Sequence, residues 1–151
     1  MKRELILIVV TLFLMVTVSN VWGEVLTDAQ KEVWKVVENT WASYQRGEIN
    51  DTLSTEDNHE WWTRRANPRG GEILKRNYEG WFNWDKPVTY EIKPIIIQIS
   101  GDVAIAYYKY NWKGKIWEDL GRQVSTFIKQ DNKWKHLGGM GCSCKEASRC
   151  P

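Results

Sequence analysis

The chain has 151 residues, ten of them tryptophan, and a formal charge of +2. That length suits one domain once any targeting segment is removed. Near-neutral charge argues against a nucleic-acid partner, whose binding rests on neutralising phosphates.

Met1-Lys2-Arg3-Glu4 is followed by an apolar run from Leu5 to Val18 and then by Val21-Trp22-Gly23. A charged start, a short apolar stretch and a small residue at its end read as a secretory signal, residues 1–23. An uncleaved anchor is the alternative, but the run is short for a spanning helix, so no stable membrane anchor is expected. The predicted location is secreted or periplasmic. Removal of residues 1–23 takes away Lys2, Arg3 and Glu4 and leaves 19 basic against 18 acidic residues, a charge of +1.

Thr27-Asp28-Ala29-Gln30 fits a capping box, Thr27 as N-cap and Gln30 three residues on. Val33, Trp34, Val37, Trp41 and Tyr44 then share one helical face, and Gly47 suits the C-cap. A brief helical turn is expected over residues 48–53, then a polar turn, then a short strand from His59 to Arg65. Trp61-Trp62 beside Arg64-Arg65 could stack on bases and contact phosphates, but the overall charge favours one ring inward, one at the rim and solvated arginines. Residues 71–84 form a second amphipathic helix with Ile73, Leu74, Tyr78, Trp81 and Phe82 on its apolar face; Lys86-Pro87 ends it.

Val88 to Lys113 reads as a long hairpin turning at Ser100-Gly101-Asp102. Arms of about 35 Å, at ~3.3 Å per residue, must twist and curl, which leaves a hollow face to fill. Pro94 in the first arm implies an edge strand or a bulge. A loop over residues 114–121 precedes a strand from Arg122 to Lys129, a turn at Gln130-Asp131-Asn132, and a last strand from Lys133 to about Met140. Gly138, Gly139 and Gly141 there suggest a kink or a close backbone approach. The order is helices early and strands late, an α+β pattern.

The capped first helix ending in Arg46-Gly47-Glu48, the acidic turn, the second helix, the long hairpin and the closing run Phe127 to Lys135 resemble the nuclear transport factor two-like superfamily. The likeness is nearest its SnoaL-like and ketosteroid-isomerase-like branch, and it covers residues 26–143, leaving 144–151 as a cysteine-containing tail. The resemblance implies a cone-shaped α+β barrel: a strongly curved mixed sheet wrapped around N-terminal helices, with a pocket at its open end. Members include isomerases, cyclases, dehydratases and domains without known chemistry, often dimeric; fold does not settle function. The isomerase's acid-base positions fall near Thr40 or Trp41, around Trp62 and near Val124, none of which carries the acid such chemistry uses.

If Val124 faces inward, so do Arg122 and Thr126, opposite Ala104, Ala106, Tyr108, Tyr110 and Trp112. The helices would add Trp34, Trp41, Tyr78 and Phe82. Two readings stay open: the rings wall a cavity, or they fill the cone. The first gives an exported domain that binds a small apolar or aromatic molecule without catalysis, through Trp41, Tyr44, Trp62, Tyr78, Tyr108, Tyr110, Trp112 and Arg122. The alternative is an isomerase- or cyclase-like enzyme using Tyr44, His59 or Glu60. His59 is expected exposed and His136 on the outer face of the sheet. No cofactor and no metal set are visible in the sequence. Ile105 and Tyr107 on the outer hairpin face point to a homodimer. Among Cys142, Cys144 and Cys150 one disulfide would leave one cysteine over.

Overall fold

A computed structural model describes residues 25–49, 59–61 and 69–144. Its elements are α1 (Asp28–Arg46), β1 (His59–Trp61), β2 (Arg69–Gly70), α2 (Gly71–Asp85), β3 (Thr89–Ser100), β4 (Val103–Lys113), β5 (Glu118–Gln130) and β6 (Lys133–Ser143). The signal segment, most of the expected 48–53 turn, Trp62 to Arg65 and the end of the tail lie outside the described residues. No described helix is long and apolar enough to cross a membrane.

The strands form one sheet in the order β2-β1-β6-β5-β4-β3. Every pairing is antiparallel except β1 with β6, which is parallel. The sheet and its two helices make the cone-shaped α+β fold. Both expected irregularities of the wall are present. The β3–β4 register shifts between Pro94 and Ile96 on an edge strand, where proline's missing donor costs no ladder bond. The β5–β6 register shifts between Thr126 and Phe127, opposite Leu137, just before the glycines. Asp131 and Asn132 both take positive φ, 50° and 59°, a two-residue turn whose twist matches the flanking strands.

The capping box that starts α1 is complete. Gln30 N–H donates to Thr27 Oγ1, and Thr27 N–H donates to Gln30 Oε1 at 2.9 Å. Gln30 also donates through Nε2 to the Ile97 carbonyl at 2.8 Å, pinning the helix start to β3. At the other end Gly47, at φ 76°, closes the helix, and Gln45 Nε2 donates to the Val88 carbonyl at 2.6 Å. Helix α1 is therefore stapled along the hollow of the hairpin. Its buried residues Val33, Val37, Trp41 and Tyr44 meet the inward residues of β4 and Phe127 in one core. Each such buried side chain contributes roughly 1.5–3 kcal/mol of transfer free energy.

Two outward corrections concern the helices and the loop that follows them. Ile73 is exposed on α2, which packs through Leu74 and Tyr78 instead. Strand β5 begins at Glu118, four residues earlier than expected. The reason is a tight turn at residues 114–117, fixed by the buried carboxylate of Asp85, together with the Tyr110 ring lying against Gly121. A Cβ at Gly121 would meet the Cys142 carbonyl and the Tyr110 ring, so β5 can run past this point only as glycine.

Candidate functional site

The inner face of β4 carries Ala104, Ala106, Tyr108, Tyr110 and Trp112, all buried, as alternation predicts. The small residues come first along the strand and the rings follow, with Trp112 meeting Trp81 of α2. Around them is a continuous aromatic cluster. Trp41 lies 5.5 Å from Tyr110 and 5.7 Å from Tyr90 by ring centroid, and meets Tyr44 edge-on at 5.6 Å. Tyr44 stacks on Tyr78 at 5.3 Å, and Trp81 meets Trp112 edge-on at 5.5 Å. The Tyr44 and Tyr78 hydroxyls share a hydrogen bond of 2.9 Å. The structure thus gathers Trp41, Tyr44, Tyr78, Tyr108, Tyr110 and Trp112, six of the eight candidate residues, in the interior. Trp62 lies outside the described residues.

The eighth, Arg122, is on the other face. Residues 121, 123, 125 and 127 of β5 pair with inward residues of β4 and are buried, which turns Arg122, Val124 and Thr126 outward. Arg122 Nη1 donates to the Tyr107 hydroxyl at 2.9 Å and its guanidinium lies 5.9 Å from that ring. The expected parity failed because the inward set, Gly121, Gln123 and Ser125, is polar or small, whereas apolar Val124 faces out.

His136 is a second correction. It is buried inside, 3% exposed, with its ring 5.4 Å from Phe127. The bulge opposite Leu137 explains it. Trp134 and His136 face inward before the shift, and Gly139 and Gly141, paired with Ser125 and Gln123, take the inward positions after it. Burial pushes the His136 pKa down to about 4, so it is a neutral imidazole near pH 7.

These residues complete a buried polar row that the sequence did not announce. The Trp41 indole N–H donates to the Tyr108 hydroxyl at 3.4 Å, and that hydroxyl lies 3.4 Å from Ser125 Oγ. Gln123 Nε2 reaches the same Ser125 Oγ at 3.4 Å, and Gln123 Oε1 is buried with no hydrogen-bond partner among the described residues. All these contacts sit at the long edge of hydrogen bonding, beyond the usual 2.7–3.2 Å. The floor beside them is backbone: a Cβ on Gly139 would stand 3.4 Å from Ser125 Oγ and 3.5 Å from His136 Nε2. The row therefore offers a neutral donor, hydroxyls and an unused amide oxygen next to flat aromatic walls. Among the described residues no three His, Cys, Asp or Glu side chains come together as a metal set.

A second polar cluster lies where the end of α2 meets the β4–β5 connection. Asp85 Oδ1 accepts from Lys115 N–H at 2.7 Å, and Oδ2 from Ile116 and Trp117 N–H at 3.2 and 2.7 Å. Burial pushes its pKa up, but the three N–H donors and the Lys115 charge outweigh this and hold it below the usual carboxylate value. Nearby, Asp119 Oδ2 accepts from Tyr110 at 3.0 Å and from Ser143 Oγ at 2.8 Å. Burial first, then the Asp119 charge, keeps the Tyr110 phenol protonated well above its ordinary range.

No protein family's sequence profile matches the chain, and no curated protein matches it. Solved structures do. An NTF2-like protein from Cytophaga hutchinsonii superposes with a TM-score of 0.66 at 13% identity, over 78% of this chain and 100% of that one. A conserved protein from Planctomyces limnophilus gives 0.64 at 12% identity, over 77% and 98%. A domain of unknown function with a cystatin-like fold from Nostoc punctiforme gives 0.62 at 11% identity, over 82% and 83%. This chain has the NTF2-like, cystatin-like fold, with an aromatic cluster in its interior.

Proposed function

We propose that the chain is an exported domain that binds a small, flat, mostly apolar molecule in the cone, without catalysis. The observation that carries this reading is the buried row Gln123–Ser125–Tyr108–Trp41. Its stretched contacts and unused amide oxygen lie beside aromatic rings, the arrangement expected where a ligand supplies the missing partner. Trp41, Tyr108, Tyr110 and Trp112 would hold the apolar body. Gln123 and Ser125 would orient one polar group. A hydroxyl fits best, because it can donate and accept. His136, kept neutral, adds no charge.

The test is intrinsic tryptophan fluorescence against a panel of flat hydrophobic compounds. Saturable quenching or a shift by at least one compound is expected; no saturable response to any member would overturn the reading.

Export is supported by the N-terminal pattern and by chemistry at the tail: Cys144 is disulfide-bonded while Cys142 is a free, exposed thiol. Disulfides persist in oxidising compartments. Mass spectrometry of the secreted protein, reading an N-terminus near Glu24, would test it. A homodimer through the outer sheet face is part of the same reading. Ile96, Tyr107, Val124 and Met140 align across four strands there, with Ile105 beside them. Sedimentation should give a dimer that Met140→Asp dissociates; a monomer at high concentration would count against it.

A further inference from the structure

At the end of the molecule where β4 passes into β5, large apolar side chains point outward. The turn there is built from within. Asp85 accepts three successive backbone N–H groups, and Gly114 N–H donates to the Trp117 carbonyl at 2.7 Å. A Cβ on Gly114 would collide with the Asp85 carboxylate, so the close approach needs glycine. Burying a carboxylate is unfavourable unless donors surround it, and this one is satisfied entirely by the turn it holds.

The result is a fixed tip on which Ile116 is 70% and Trp117 58% exposed. Trp84, beside Asp85 in sequence, is 59% exposed. Val88, whose N–H donates to the Lys113 carbonyl at 2.8 Å, is also exposed. Scattered exposed apolar residues are ordinary; two indoles, an isoleucine and a valine at one end of a small domain mark an interaction surface. Lys113 and Lys115 are exposed at the same tip, with Glu118 exposed beside them and the Asp85 carboxylate, on which the Lys115 charge acts, buried beneath.

We propose that this end docks reversibly on an anionic lipid surface. The apolar area on offer is on the order of 500 Å², short of the ~800 Å² per partner that a stable protein interface buries. A lipid interface sets no such minimum. Indoles favour the headgroup boundary, where the ring is buried and the N–H stays wet. Lysines beside them keep their heads in water and meet anionic headgroups, each worth about 1 kcal/mol near such a surface. The contact is peripheral, needs no spanning segment and is independent of ligand binding in the cone.

The test is co-sedimentation of the chain, in the form recovered after expression, with vesicles of phosphatidylcholine alone or with 30% phosphatidylserine. Every variant carries the same N-terminus. Binding is expected to the anionic vesicles, to be at least tenfold weaker on neutral ones, and to weaken with salt. Ile116→Ser with Trp117→Ser should lower binding at least tenfold. So should Lys113→Glu with Lys115→Glu, which keeps every apolar residue and guards against a folding artefact. Absence of binding, equal binding to both vesicles, or wild-type binding by either double variant would overturn the proposal. Self-association that Ile116→Ser with Trp117→Ser abolishes, with no vesicle binding, would overturn it in favour of a protein partner.

Discussion

The protein buries two polar clusters, and they are built to opposite standards. At Asp85 both carboxylate oxygens are engaged at 2.7–3.2 Å and the pKa is held down. In the row through Gln123, Ser125 and Tyr108 the three contacts that join Trp41, Tyr108, Ser125 and Gln123 are stretched to 3.4 Å, and the Gln123 amide oxygen has no partner among the described residues. Since an unmade buried hydrogen bond costs more than a made one contributes, the first cluster stabilises the fold. The second, with an amide oxygen left without a partner among the described residues, costs stability. That contrast separates a structural pin from the row proposed as a binding site more sharply than the count of aromatic rings does.

The contrast can be broken at either end. Asp85→Ala should have the largest effect, a fall in Tm on the order of 10 °C, with loss of the fixed 114–117 turn. Thermal melts followed by circular dichroism would check it; an unchanged Tm would mean the carboxylate is not a pin. The pH dependence comes next and distinguishes the clusters by window. His136 is depressed in the fold from 6.5 to about 4, so between those values the unfolded chain binds more protons. Its contribution is complete above pH 6.5 and is lost as pH falls to 4, on the order of 3 kcal/mol. Asp85, also lowered, contributes fully above its ordinary value of 3.8 and loses that contribution only as pH falls further. Urea midpoints of wild type and His136→Gln should converge as pH drops from 6.5 to 4; parallel curves would place His136 in solvent.

Smaller effects belong to the row itself. Ser125→Ala should cost about 1 kcal/mol, since it removes a hydroxyl held by weak bonds. Gln123→Leu should change stability by less than ~1 kcal/mol, because it removes an acceptor that the fold leaves unused. A large loss at Gln123 would show the amide to be structural.

Much of the architecture was legible in the sequence. Thr27 and Gln30 mark the start of α1, Gly47 its end, and the alternation through Val103–Lys113 fixes which β4 residues face inward. Pro94 announces its bulge. These signals are local and apolar. The misread parts are those where the interior is not apolar. Strand β5 turns Gly121, Gln123 and Ser125 inward, so a reading guided by hydrophobicity chose Val124 and took Arg122 with it. His136 went wrong because a bulge at the next residue, Leu137, resets the parity of β6, and bulges leave little trace before the glycines that accompany them. Local rules often fail where function opposes them, and the misread parities of β5 and β6 meet at the proposed row.

The most direct measurement is a pair of fluorescence titrations, 1-naphthol and naphthalene, each against wild type and Gln123→Leu. If the row orients a ligand hydroxyl, wild type binds naphthol about tenfold more tightly than naphthalene, the worth of one good buried hydrogen bond. Gln123→Leu should then erase that preference while leaving naphthalene unchanged. Equal affinities in wild type, or a preference that survives Gln123→Leu, would contradict the account.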